Sequence, residues 1–342
     1  MTPQTPPARR LRWGVLGYAR IARVELIPAI RRSSNGEFFA LASRDEAKLA
    51  EARAAFPGLV HTHRDYAALV RDPEVDAVYL PLPNALHREW ALRALEHGKP
   101  VLCEKPLALD AVQAREMTAA AAAAGLPLME AFMYRYTERI HRVEELFRAG
   151  ELGEVKFVHA SFRFLLANPT SIKLRPELGG GALYDVGCYP VNFAGWAADL
   201  AAGAAPGTVR PESVAVECVR NGGIDEIFSA LLRYPSGLIA SLHCGFNAQK
   251  RIAAEIVGTK GALEIPDAFL DNAGSLVLTQ GEARREIPVP ASDRYRAEVE
   301  DFADAVLARR PPHLGPAETL RNAEVLDRLR AAAGFDPAGE AV

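Results

Sequence analysis

The sequence predicts an α/β protein: a doubly wound parallel sheet, followed by an α+β portion whose sheet is mostly antiparallel. Two observations lead there. Up to about residue 130, short apolar runs alternate with helical stretches, the pattern of parallel strands covered on both faces. Beyond that point strands succeed one another across turn sequences, as hairpins do. The 342 residues suffice for two such units, read as 11–130 and 131–342 behind a tail at 1–10.

The elements follow in order. Residues 11–16 form a buried strand, then a glycine turn and a helix to about Arg32. A second strand spans 38–43, with an Ala-rich helix at 46–55 behind it, and a third apolar run covers 76–80. The spacing predicts a helix over 87–97 that stops at Gly98, then a short strand at 100–103. Asp110 is the N-cap of a helix reaching Ala124, with Gly125 in the C′ position, and 126–130 is again a strand. A helix at 138–149 and a turn at 150–153 lead into strands at 155–164, 213–219, 226–234, 238–246 and 252–257. Their connections, Asn221-Gly222-Gly223, Pro235-Ser236-Gly237 and Lys260-Gly261, carry turn chemistry. Amphipathic helices at 293–309 and 316–333 close the chain.

Composition excludes several classes. Hydrophobic residues at 49% and charged residues at 24% describe an ordinary folded chain. A net charge of −3 gives no reason to expect nucleic acid or an anionic membrane as partner. No apolar run is long enough for a membrane span. Residues 1–10, rich in Pro and Thr with no apolar segment behind them, read as a disordered tail and not a secretory signal. Cys103, Cys188, Cys218 and Cys244 form no C-x-x-C pair; they read as reduced, buried thiols of a cytoplasmic protein, with no metal site.

The first turn reads Gly14-Val15-Leu16-Gly17-Tyr18-Ala19-Arg20-Ile21-Ala22. Against the Rossmann-type G-x-G-x-x-G/A pattern, Gly17 takes the first place, Ala19 the second and Ala22 the third. Small residues there let backbone approach a pyrophosphate at a helix N-terminus, over Ala19, Arg20 and Ile21. Alone the match is degenerate; its position in a βαβ unit strengthens it. The second strand ends at Ser43-Arg44-Asp45, where an NAD enzyme places a carboxylate on the ribose 2′-hydroxyl. A hydroxyl at Ser43 and a guanidinium at Arg44, with Lys48 one turn on, suit a 2′-phosphate instead, so the reading is NADP(H) over NAD(H). Asp45 as the adenosine ligand would undo that reading.

The third strand runs into Leu80-Pro81-Leu82-Pro83-Asn84-Ala85-Leu86-His87, at the sheet edge where α/β proteins bind ligands. Leu82, Pro83, Asn84 and His87 are candidate cofactor contacts. Asn84 equally fits a helix cap, and a histidine at a helix start is more often structural. Glu104-Lys105-Pro106 follows the next strand, where a lysine can donate to a substrate hydroxyl and lower the pKa of a neighbouring acid.

The segments Gly14–Ala22, Leu80–His87, Gly98–Leu107 and Gly179–Asn192 (GGGALYDVGCYPVN) together resemble the glucose–fructose oxidoreductase/inositol dehydrogenase (Gfo/Idh/MocA) family over essentially the whole chain. The resemblance implies a nicotinamide-binding Rossmann domain, a second domain with a large open antiparallel sheet serving as oligomer interface, and sugar, polyol or diol substrates. It implies that Lys105 is catalytic, that Asp185 is the active-site carboxylate, and that Glu104 and Asn84 touch the cofactor. Many members carry His four residues after the Asp; Tyr189 stands here, as in the branch of NADP-dependent xylose dehydrogenase and dimeric dihydrodiol dehydrogenase. On a helix Asp185 and Tyr189 share a face, and a lysine beside Tyr189 would lower its pKa towards a phenolate base. Arg135 and Arg175 are candidates for substrate or structural roles, and Arg135 also for a cofactor contact.

The expectation is an NADP-dependent oxidation of a cyclic sugar, an aldose C1-hydroxyl giving a lactone, in a cytoplasmic homodimer or homotetramer. A trans-dihydrodiol dehydrogenase or an anhydro- or keto-sugar reductase is the alternative within enzymes. An NADP-binding sensor is the alternative outside them, which the presence of Lys105 and Tyr189 disfavours.

Overall fold

The computed structural model describes residues 9–335. Residues 1–8, most of the expected tail, lie outside the described residues. The last two residues of that tail are held instead of loose. Arg9 donates to Asp76 Oδ1 at 2.8 Å, and Arg10 donates to the carbonyls of Ser33 and Gly36.

The first sheet contains β1 (Leu11–Leu16), β2 (Gly36–Ala42), β3 (His61–His63), β4 (Ala77–Leu80), β5 (Val101–Glu104) and β6 (Leu128–Ala131), all parallel, in the order β3-β2-β1-β4-β5-β6. The order reverses between β1 and β4, which opens a crevice at their carboxyl ends. The helix after β1 begins with a π-helical turn, Ala22–Leu26, and continues as α1 (Ile27–Arg32). α2 (Glu46–Ala55) is capped by Asp45, whose carboxylate accepts from the amides of Ala47 and Lys48. α3 (Tyr66–Val70) and α4 (His87–Glu96) follow β3 and β4. α5 (Ala111–Ala124) runs between the expected caps, Asp110 and the left-handed Gly125. β3 and α3 were not expected: three half-buried residues, His-Thr-His, and a five-residue helix are too short to show a period.

Beyond α6 (Glu138–Arg148) and β7 (Val155–Leu165), a second π-helical turn, Leu183–Gly187, opens α7 (Cys188–Ala202). Then come β8 (Ser213–Asn221), β9 (Ile224–Arg233), β10 (Ile239–Gly245), β11 (Asn247–Gly258), β12 (Ala262–Pro266), β13 (Gly274–Gln280) and β14 (Ala283–Val289). They form an eight-stranded sheet with β7, in the order β14-β13-β12-β11-β7-β10-β9-β8, antiparallel except where β10 meets β7. The strands after β11 were not anticipated; β14, at the sheet edge, is mostly exposed and carries three charged residues, as edge strands often do.

α7, buried nearly throughout, lies on the inner face of this sheet. α8 (Arg294–Ala308) and α9 (Pro316–Ala332) turn back onto the first sheet's layer, α8 against α1 and α9 against α5. Trp13 of β1 and Phe302 of α8 pack with ring centroids 5.3 Å apart. One continuous apolar core therefore joins both sheets. The outer face of the second sheet has no layer over it among the described residues, and Phe157, Ile227, Leu231 and Ile239 are each more than one third exposed there. No helix among the described residues is long and apolar enough to cross a membrane.

Candidate active site

Two loops of the first sheet and one turn of the second meet at the carboxyl edge of β1, β4 and β5. Gly17 has φ +104°, a conformation that favours glycine, and a Cβ there would lie 3.1 Å from the Leu82 side chain. Backbone and the loop after β4 thus come together at the start of the helix that carries Ala19, Arg20 and Ile21, and Ala19 and Ile21 are half-buried there. Ser43 is buried, and its Oγ accepts from the Asp45 amide at 3.2 Å. Arg44 and Lys48 are exposed, and the Arg44 guanidinium lies 5.8 Å from the centre of the Tyr66 ring. Asp45 is occupied as the cap of α2, so it does not take the place of a ribose-binding carboxylate. Tyr66 belongs to this rim, its hydroxyl lying 3.6 Å from where a Gly17 Cβ would be, and nothing in the sequence pattern around it signalled that.

These residues fit a phosphorylated dinucleotide: a close backbone approach, a helix start with free amides, and two exposed cations beside a hydroxyl, with the nearby carboxylate turned away.

Three of the expected cofactor contacts are engaged with protein partners. His87 is fully buried, with Nδ1 3.0 Å from the Pro106 carbonyl and Nε2 2.9 Å from that of Leu82. It braces the loop after β4 against the loop after β5, and burial pushes its pKa down. Arg135 is buried in an ion pair with Glu318 and stacks over Trp196, 5.1 Å from its ring centre. Asn84 does not cap a helix; its amide donates to the Gly179 carbonyl at 2.8 Å, tying the loop after β4 to the triple glycine. Arg175 forms an exposed pair with Glu177.

The catalytic candidates converge. Lys105 ends the strand–loop junction after β5, and its Nζ donates to the Asp185 carbonyl at 2.5 Å and lies 3.8 Å from Asp185 Oδ1. Asp185 sits in the π-helical turn, whose amide at Leu183 is held by the buried Asp225 carboxylate at 2.5 Å. Gly181, with φ +118°, allows this: a Cβ would fall 2.2 Å from Asp225 Oδ1. A second cation, Lys173, reaches Asp185 Oδ2 at 2.6 Å. Sequence reasoning passed over Lys173, weighing Arg175 two positions on.

Tyr189, the second residue of α7, is 4% exposed in a cage of Phe132, Tyr134, Phe162 and Phe269. Its hydroxyl donates to Met133 Sδ at 3.5 Å, and Lys105 Nζ lies over its ring, 4.9 Å from the centre. The expected lowering of its pKa is not found. Burial holds the phenol well above its ordinary value. Burial disfavours the charged form of Lys105 as well, but Asp185 and Glu104 outweigh it and keep the ammonium. Glu104 itself accepts from the Tyr79 hydroxyl at 2.6 Å. The site therefore presents a fixed ammonium and a neutral phenol side by side, next to a carboxylate: donors for an oxygen that gains or loses negative charge.

Comparison with known proteins agrees with this geometry. Residues 11–132 match the oxidoreductase family with an NAD-binding Rossmann fold, and residues 140–264 match the GFO/IDH/MocA C-terminal domain. The chain is 36% identical to D-xylose 1-dehydrogenase (NADP(+)) 2 of Haloferax volcanii, over 93% of this chain and 95% of that one. It is 32% identical to trans-1,2-dihydrobenzene-1,2-diol dehydrogenase of Xenopus laevis, over 81% of each. A 3-ketoreductase from Actinomadura kijaniata, crystallised with NADP and TDP-benzene, superposes with a TM-score of 0.86 at 31% identity, covering 95% of this chain and 98% of that one.

Proposed function

The chain belongs to the GFO/IDH/MocA oxidoreductase family, and from that premise we propose that it is an NADP(H)-dependent enzyme acting on a cyclic sugar, oxidising the C1-hydroxyl of an aldose to a lactone. NADP(H), when bound, supplies the hydride acceptor or donor. Gly17, Ala19, Arg20, Ile21, Leu82 and Pro83 would hold its pyrophosphate and ribose side, and Ser43, Arg44 and Lys48 its 2′-phosphate. The convergence of Lys105, Asp185 and Tyr189 carries the reading. Lys105 donates a hydrogen bond to the reacting oxygen, Asp185 and Lys173 orient the sugar, and Tyr189 exchanges the hydroxyl proton.

One observation favours a second reading. A phenol kept neutral by burial is a ready proton donor, which suits reduction of a keto-sugar carbonyl. The chemistry is the same in reverse, and a 3-ketoreductase is among the similar structures. The sensor alternative has no counterpart among the named relatives.

The proposal includes a division into 11–130 and 131–342, a cytoplasmic location, and a homodimer or homotetramer. The apolar residues on the outer face of the second sheet support self-association. A panel of aldoses, diols and keto-sugars, assayed for NADPH formation or consumption, tests the function. Turnover lost in Lys105→Ala supports it. NADPH binding without turnover on any of them overturns it.

A further inference from the structure

The sequence, read for cysteine spacing, offers no metal ligand. Folding nonetheless brings together His61 and His63, two positions apart on β3 and hence on one face of the strand, and Asp72 from the turn after α3. His61 Nδ1 lies 2.6 Å and His63 Nε2 3.1 Å from the same oxygen, Asp72 Oδ2, and the three ligand atoms all lie within 4.8 Å of one another. We infer that His61, His63 and Asp72 form a binding site for a divalent transition metal of the zinc class at the edge of the nucleotide-binding sheet.

The surroundings suit a metal site. His61 faces carboxylates from both ring nitrogens, Asp72 on Nδ1 and Glu74 Oε2 at 3.4 Å on Nε2. A neutral imidazole has one N–H and can satisfy only one of them. A cation between Nδ1 and Asp72 leaves the Nε2 proton for Glu74, the carboxylate–histidine–metal arrangement that fixes a ligand's tautomer. Two neutral imidazoles, two carboxylates and a doubly charged ion also balance in charge.

Asp72 is placed in advance for this. It is buried, its Oδ1 accepts from the Glu74 amide at 2.9 Å, and the buried Lys99 ammonium holds the carbonyls of Asp72 and Val75 at 2.8 and 2.6 Å. Only Oδ2 is left to point at the histidines. Tetrahedral zinc with nitrogen and oxygen ligands sets neighbouring ligand atoms roughly 3.4 Å apart, so a small spreading of the two contacts admits the ion. The His61 and His63 side chains are 32% and 21% exposed, which leaves an entry path and a fourth position for water. Mixed imidazole and carboxylate ligands suit zinc, nickel and copper over magnesium or calcium.

The site is coupled to the cofactor rim through the pairing of β3 with β2, at whose end the Ser43 amide donates to the His63 carbonyl at 3.0 Å. A metal on His63 would brace the strand end that presents Ser43 and Arg44.

Isothermal titration of the untagged full-length protein with Zn²⁺ alone, in a non-chelating buffer, tests the inference. One equivalent should bind, and His63→Gln and His61→Gln should each weaken it at least tenfold without changing the circular dichroism spectrum. Co²⁺ should give the visible absorption of a tetrahedral nitrogen–oxygen site in the wild type and not in the double variant. Absence of stoichiometric binding, or binding retained by His61→Gln/His63→Gln, overturns it. Both readouts are independent of turnover.

Discussion

Lys105 addresses Tyr189 through the face of its ring, with Nζ 4.9 Å from the centre, and not through its hydroxyl, which donates to Met133 Sδ at 3.5 Å. The pair is therefore an ammonium beside a neutral phenol. In the direction of carbonyl reduction, which needs Tyr189 protonated, the rate should stay level across neutral pH. It should fall only in the alkaline range, because burial raises the phenol's pKa. In the direction of alcohol oxidation the rate should rise with pH over the same range. Tyr189→Phe should lower kcat by roughly 10²–10⁴ and flatten both profiles. A reductive rate already falling with a midpoint near pH ~7, well below even an unperturbed phenol, would assign the proton to another group.

In the proposed reading cofactor choice rests on Arg44, with Asp45 withdrawn into the cap of α2. Charge-assisted hydrogen bonds contribute about 1.5–3 kcal/mol, so Arg44→Ala should raise the KM for NADPH about 10- to 100-fold. The KM for NADH should change little. Ser43→Asp should reverse the preference, since a carboxylate repels the phosphate and accepts from a free 2′-hydroxyl. Equal losses for both cofactors in Arg44→Ala would show that the 2′-phosphate lies elsewhere.

Glu130 connects the last strand of the first sheet to the lysine loop, its Oε1 accepting from the Leu107 amide at 2.9 Å. Burial raises its pKa from 4.5 to about 7. Between those values the folded protein holds a proton that the unfolded chain has lost. This group's contribution to stability therefore falls as pH rises through that window, by roughly 3 kcal/mol at most. Glu130→Gln keeps an acceptor for Leu107 and should abolish that slope. Urea unfolding at pH ~5, near the bottom of that window, and at pH ~7.5, above it, measures it; parallel slopes in variant and wild type would place the pH dependence in other groups.

Much of this arrangement was legible in the chain. Where residues are periodic and capped, as from Asp110 to Gly125, sequence and structure agree. The Lys105, Asp185 and Tyr189 trio was recognisable because the residues around it carry a distinctive pattern. What escaped was what only tertiary contact defines. His61-Thr62-His63 has no period, and its histidines acquire meaning only when Asp72 folds against them. Lys173 is one basic residue among several until the triple glycine turns it onto Asp185. His87 and Arg135 occupy positions consistent with ligand contact, and only the fold shows both buried against protein partners.

Arg135 is the strongest case for a structural role among the expected cofactor residues. Its guanidinium pairs with Glu318 in a pocket where both side chains are under 5% exposed, and Asn192 and Arg321 stand beside the same carboxylate at 3.4 and 4.0 Å. Burial opposes the charge on Glu318, but Arg135 and Arg321 reverse the balance and hold its pKa down. Removing Arg135 strands a buried carboxylate with only the more distant Arg321 to answer it. Arg135→Met should therefore cost about 3–5 kcal/mol in chemical unfolding at neutral pH, while the KM for NADPH of the folded enzyme stays within about threefold. Adding Glu318→Gln removes the orphaned charge and should recover a large part of the loss, because the penalty belongs to the unpaired ion and not to the missing contact. A variant of unchanged stability with weakened NADPH binding would return Arg135 to the cofactor site.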